Sequence, residues 1–131
     1  LVPLLDLVIA DLPDDVEDKQ LPYSIVQNLL QYVAPGGYFL FLIPNDFFNR
    51  LGHEAMREII LKEAYIIGLI TLPEDLFKSR DVYKSILILQ KRGEGITITK
   101  DILIFKFPSF QDQDAVKEAI AKLKQWFART E

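Results

Sequence analysis

Two short stretches of this sequence carry groups able to do chemistry, and both stand directly after apolar runs. Asp11-Leu12-Pro13 closes the run Asp6-Leu7-Val8-Ile9-Ala10, and Asn45-Asp46-Phe47-Phe48 follows Tyr38-Phe39-Leu40-Phe41-Leu42-Ile43-Pro44. Carboxylates and amides accept hydrogen bonds, and a phenyl ring offers a flat apolar face. Ligands of open α/β sheets sit beyond the carboxyl ends of the strands, so a site is expected at Asn45-Asp46-Phe47-Phe48. Each stretch also has a plainer reading. Asp commonly ends a strand and caps a turn, and Phe47 and Phe48 equally serve as core or loop anchors.

Other chemically suggestive residues reduce to ordinary roles. Asp14, Asp15, Glu17 and Asp18 lack the spacing of an octahedral cation site and read as a solvated acidic loop. His53 stands near a helix start with no Ser or Cys nucleophile arrangement around it, and reads as surface or capping. Lys84, Lys91, Arg92, Lys100 and Lys106 form no cluster and read as scattered surface cations rather than a phosphate track.

The elements that must position the two stretches follow from periodicity. Asp6–Ala10 is β-branched and apolar and reads as a strand stopped by Pro13. Pro22 suits the first turn of a helix whose Ile25, Val26, Leu29, Leu30 and Val33 share a face. Gly36-Gly37 are expected to end that helix, leading into a doubly covered strand from Tyr38 to Pro44 and giving a parallel β-α-β unit. Asn49 is the expected N-cap of a second helix carrying Leu51, Ala55, Met56, Ile59 and Ile60. Strands follow at Tyr65–Leu72, Ser85–Gln90 and Ile102–Phe107, with one helical turn at Leu76-Phe77. So little helix precedes Ser85–Gln90 that this strand is expected to run antiparallel. Val116, Ala119, Ile120, Leu123, Trp126 and Phe127 form the apolar stripe of a terminal helix.

At 131 residues and 50% apolar, the chain is expected to form one domain with a real core. It has no cysteine and one histidine, which speaks against disulfides and all-protein transition-metal sites. No apolar run approaches the roughly 20 residues of a membrane span, so a cytoplasmic protein without membrane or metal partners is expected. A net charge of -4 argues against a large nucleic-acid footprint on this chain by itself.

Taken together, D-L-V-I-A-D-L-P and L-I-P-N-D-F-F, with A-P-G-G-Y-F, I-I-G-L-I-T-L-P, S-I-L-I-L-Q-K and F-P-S-F in that order, resemble the later half of the catalytic domain of adenine-N6 DNA methyltransferases. The likeness is to the modification subunits of type I restriction systems and their small bacterial relatives, and runs from about Leu4 to Phe127. It implies a three-layer α/β sandwich holding part of a Rossmann-like methyltransferase sheet. Residues 1–131 would be the C-terminal part of the catalytic domain, a fragment of an S-adenosylmethionine-dependent enzyme acting on DNA. In that family a loop of Asn, Asp or Ser, then Pro-Pro, then an aromatic binds the flipped adenine. By position, Asp11 would accept from the amino group, the Leu12 carbonyl would accept as well, and Pro13 would fix the loop. Phe47 would stack on the base, with Asn45 beside it, so that both loops face one cavity. Leu12 stands where the pattern has its first proline, and Asp14 where it has the aromatic.

In that family S-adenosylmethionine sits on a glycine-rich loop after the first strand and an acidic residue after the second, both upstream of the matching region. The resemblance therefore implies that S-adenosylmethionine is held elsewhere in the parent, that the fragment alone is inactive, and that the first strand has an open edge able to self-associate. The alternative reading is a degenerate methyltransferase fold used as a scaffold or interaction module.

Overall fold

Phe39, Phe41 and Ile43 are buried on one side of a strand whose Leu40 packs on the other side, so this segment is covered from both faces and holds the sheet's middle. In the computed structural model, which describes residues 3–13, 17–78, 83–97 and 101–128, the elements in chain order are β1 (Leu5–Asp11), α1 (Leu21–Leu29), β2 (Val33–Pro44), α2 (His53–Glu63), β3 (Ala64–Thr71), β4 (Lys84–Lys91), β5 (Leu103–Lys106) and α3 (Gln113–Ala128). Short 3-10 segments lie at Leu30–Tyr32 and Glu74–Leu76.

The strands form one sheet in the order β1-β2-β4-β3-β5. β1 with β2, and β3 with β5, are parallel, while β4 is antiparallel to both β2 and β3. Hence β1, β2, β3 and β5 all end at one rim of the sheet, and β4 begins there. The antiparallel direction expected for the fourth strand is the one observed.

Two clusters make the three layers. On one face Phe39, Phe41, Leu87 and Leu89 pack against Tyr23, Val26, Met56 and Ile60 of α1 and α2. On the other, Ile67, Ile70, Ile88 and Leu103 meet Leu123 and Trp126 of α3. Burial of each large apolar side chain contributes about 1.5–3 kcal/mol, so β2 and β4 carry much of the stability. α3 does not reach the far side of its face: Leu5, Leu7 and Ile9 of β1 remain 49%, 50% and 68% exposed, on a strand that lies at the sheet's edge. Phe127, expected in the core, is also largely exposed, while its neighbour Trp126 packs inward.

Two local expectations are corrected. Gly36-Gly37 do not cap the helix; the 3-10 segment ends at Tyr32, and the glycines lie inside β2. There, two steps along β1 from Leu5 to Leu7 span five along β2 from Val33 to Tyr38, a bulge in which Gly36 takes φ +85°. The helix ends without a glycine because the Lys91 ammonium, 2.7 Å from the Leu30 carbonyl, supplies a donor at that end. α2 begins at His53 behind Gly52, and Asn49 belongs instead to the preceding turn, its N–H donating to the Asp46 carbonyl at 2.9 Å.

A side chain at Gly37 would place its Cβ 2.9 Å from the Asp6 carbonyl oxygen and 2.5 Å from Val33 Cγ1. Gly37→Ala is expected to lower unfolding stability by about 1–3 kcal/mol, read from the denaturation midpoint. A midpoint at or above that of the wild type would contradict this packing of the bulge.

Candidate functional site

The sheet rim assembles residues far apart in sequence because β4 enters where its neighbours leave. Lys84, the first residue of β4, pairs with Pro44, the last of β2, and Asp11, the last of β1, pairs with Leu42. Lys84 therefore stands one strand away from the end of β1. Its side chain reaches across and donates hydrogen bonds to Asp11 Oδ1 and, at 2.7 Å, to the Leu12 carbonyl oxygen.

Strand alternation explains how neighbouring residues do different work. The Leu12 side chain points into the core and is fully buried, while its N–H donates to the Leu42 carbonyl at 3.0 Å. Leu12 is thereby pinned from both sides, and its carbonyl is held at the rim. The Asp11 side chain points the other way and is 65% exposed, whereas that of Lys84 is only 16% exposed. Pro13 is partly buried and follows directly. Asp14, the position matching the family's aromatic, and Asp15 lie outside the described residues, as does Lys100.

The second loop behaves differently from the first. The Phe47 N–H donates to the Pro44 carbonyl at 3.0 Å, a turn that folds the ring back beneath the sheet. Its ring is fully buried, edge-on to Tyr23 and to Phe48 with centroids 5.0 Å away in each case. The Tyr23 hydroxyl donates to the Phe47 carbonyl, and Arg50 pairs with Asp46 and donates to the Lys19 carbonyl at 2.9 Å. Asn45 is exposed at the rim.

The structure thus brings Asp11, Leu12, Pro13 and Asn45 to one rim. It does not bring the Phe47 ring to a cavity shared with them, because the ring is fully buried in the core against Tyr23 of α1 and against Phe48. The rings that do stand near the entry to β4 are Phe77 and Tyr83, tilted against each other at 5.7 Å, with Tyr83 immediately before Lys84. Lys84, read from sequence as a scattered surface cation, instead has a mostly buried side chain at this rim. Its only sequence signal is a lysine opening an apolar strand, and that signal needs the strand order before it means anything. Among the described residues, no group of three or more His, Cys, Asp or Glu is placed to hold a metal, and no helix is long and apolar enough to cross a membrane.

The rim, the mixed sheet and the antiparallel β4 define a class I methyltransferase-like α/β fold. A model of the N-6 DNA methylase family matches residues 12–130, and the chain belongs to that family. A protein from Listeria monocytogenes, described as a candidate class I S-adenosylmethionine-dependent methyltransferase, superposes with a TM-score of 0.81 and 31% identity over 97% of this chain and 44% of its own. The uncharacterized protein YtxK of Bacillus subtilis is 33% identical over 107 residues, 82% of this chain and 32% of that protein. The modification subunit of a candidate type I restriction enzyme from Vibrio vulnificus shares the fold, with a TM-score of 0.67 at 16% identity, over 98% of this chain and 32% of its own. The chain spans less than half the length of each of these three.

Burial of Tyr23 raises its pKa above the usual value of 10.0, with the nearby Arg50 opposing and Asp46 adding to the shift. The folded state therefore holds the phenol proton more tightly than the unfolded state. This contribution is complete below pH 10 and is lost as pH rises through the folded pKa. Tyr23→Phe is expected to cost about 1–3 kcal/mol by leaving the Phe47 carbonyl unpaired, and to flatten the stability loss above pH 10. Denaturation midpoints measured from pH 8 upward test both, and an unchanged alkaline slope in the variant would contradict the assignment.

Proposed function

We propose that this chain is the C-terminal part of the catalytic domain of an S-adenosylmethionine-dependent DNA adenine-N6 methyltransferase, and that it carries the grip on the target amino group. The observation that supports this most is the convergence of two acceptors on one nitrogen. Lys84 Nζ touches both the Asp11 carboxylate and the Leu12 carbonyl, so the pair is spaced to share a single donor centre. An exocyclic amine placed between them would give one N–H to each, which fixes its plane and increases electron density on nitrogen. Pro13 would restrain the loop, and Asn45 is exposed for further contact. Phe47 would serve by anchoring its loop to α1, and stacking by its own ring would require that loop to open.

Gly37 and Gly93 do not suit the cofactor. The backbone at Gly37 already lies against Asp6, and a Cβ at Gly93 would sit 2.3 Å from the Pro35 Cβ, so neither glycine lines a free cradle. The methyl donor would therefore be held by another part of the catalytic domain, and this chain alone would be inactive. The natural place for that part is against the open edge and exposed apolar face of β1, which otherwise invites self-association. DNA would be the partner of the full-length protein and the cytoplasm its compartment.

A scaffold without catalysis is the second reading. The ammonium of Lys84 on both acceptors is what favours it, since a permanently paired site binds no amine. Methyl transfer decides between them. The full-length protein, given labelled S-adenosylmethionine and unmethylated DNA, is expected to form N6-methyladenine, and Asp11→Ala is expected to slow it about 100-fold or more. Absence of transfer, or transfer indifferent to Asp11, would favour the scaffold.

A further inference from the structure

We infer that Lys84 is a displaceable occupant of the amine site, an internal stand-in that the substrate's amino group must push aside. This rests on the proposed function, because it takes Asp11 and Leu12 as the acceptors of that amine. The Lys84 ammonium already makes both hydrogen bonds that the grip has to offer. Ammonium and substrate amine therefore compete for the same acceptors and cannot hold both in the same way together.

The surroundings suit exchange rather than a permanent tie. Asp11 is largely open to solvent, so the ion pair is screened on one side. The lysine head sits on a flexible four-carbon stem and has three rotatable donors, which lets it leave without movement of the backbone of β4. That backbone is itself fixed, since β4 is paired along its length with β2 and β3. Without substrate, the occupant keeps the buried-side carbonyl of Leu12 satisfied, and its removal would leave that oxygen to water. With substrate, an aromatic amine can replace both hydrogen bonds by giving one N–H to each acceptor.

The test compares the full-length wild type with Lys84→Met, using a short single-stranded oligothymidylate carrying one adenine and the same strand with purine, which lacks the amino group, in its place. Single strands remove the cost of base extrusion from the comparison. The preference for adenine over purine is expected to rise about tenfold in the variant, even though loss of a lysine should weaken binding of either strand through its phosphates. In the wild type, amine-reactive labelling of Lys84 is expected to increase when the adenine strand binds and to stay constant with the purine strand. A wild type that prefers adenine while Lys84 labelling stays constant would overturn the inference and leave the functional reading intact. If neither protein prefers adenine, the functional reading fails and the inference with it. Should Lys84→Met not fold, the labelling of the wild type alone decides.

Discussion

One lysine ties the end of β1 to the start of β4 across β2, and the rim has its present form because of that reach. The constraint behind it is the direction of β4. Wedged antiparallel between two strands that run the other way, β4 presents its first residue where β1 and β2 present their last. A parallel strand in the same slot would bring its final residue to the rim and carry Lys84 to the opposite end of the sheet. The ion pair itself contributes modestly, since its carboxylate is mostly in water. What it adds is definition: it sets the positions of two acceptors whose backbone is already pinned by the buried Leu12 side chain and by the hydrogen bond from Leu12 to Leu42.

The long apolar runs were legible in the sequence because they obey local physics. β2, β3, β4 and β5 appear where continuous or alternating apolar residues require burial, and Pro22 opens α1 as its fixed φ allows. The antiparallel turn of β4 was also readable, from the shortage of chain for a crossover helix. Signals that depend on tertiary context were misread. Gly36-Gly37 look like a helix stop, yet they serve a bulge that matters only once β1 lies alongside. Asn49 has the chemistry of an N-cap, but Gly52 takes that place after the turn anchored by Arg50 and Asp46.

The same division holds for the candidate site. Asp11, Leu12 and Asn45 could be placed at a rim because strand ends are local features. Leu12 could be named for its carbonyl, while the reason for its side chain, a place in the core, required the fold. Phe47 could not be told from a stacking ring by type or position, since burial depends on Tyr23, twenty-four residues earlier in the chain. Lys84 read as one more surface cation because its partners are more than seventy residues away in sequence, with α1, β2, α2 and β3 between, and are separated from it by β2 in space.

A crystal structure of the full-length protein with an adenine-bearing oligonucleotide would test the central claim most directly. The account predicts the adenine amino nitrogen within about 3 Å of both an Asp11 carboxylate oxygen and the Leu12 carbonyl, with the Lys84 ammonium moved off both. An amino group bound elsewhere, with Lys84 still bridging Asp11 and Leu12, would contradict it.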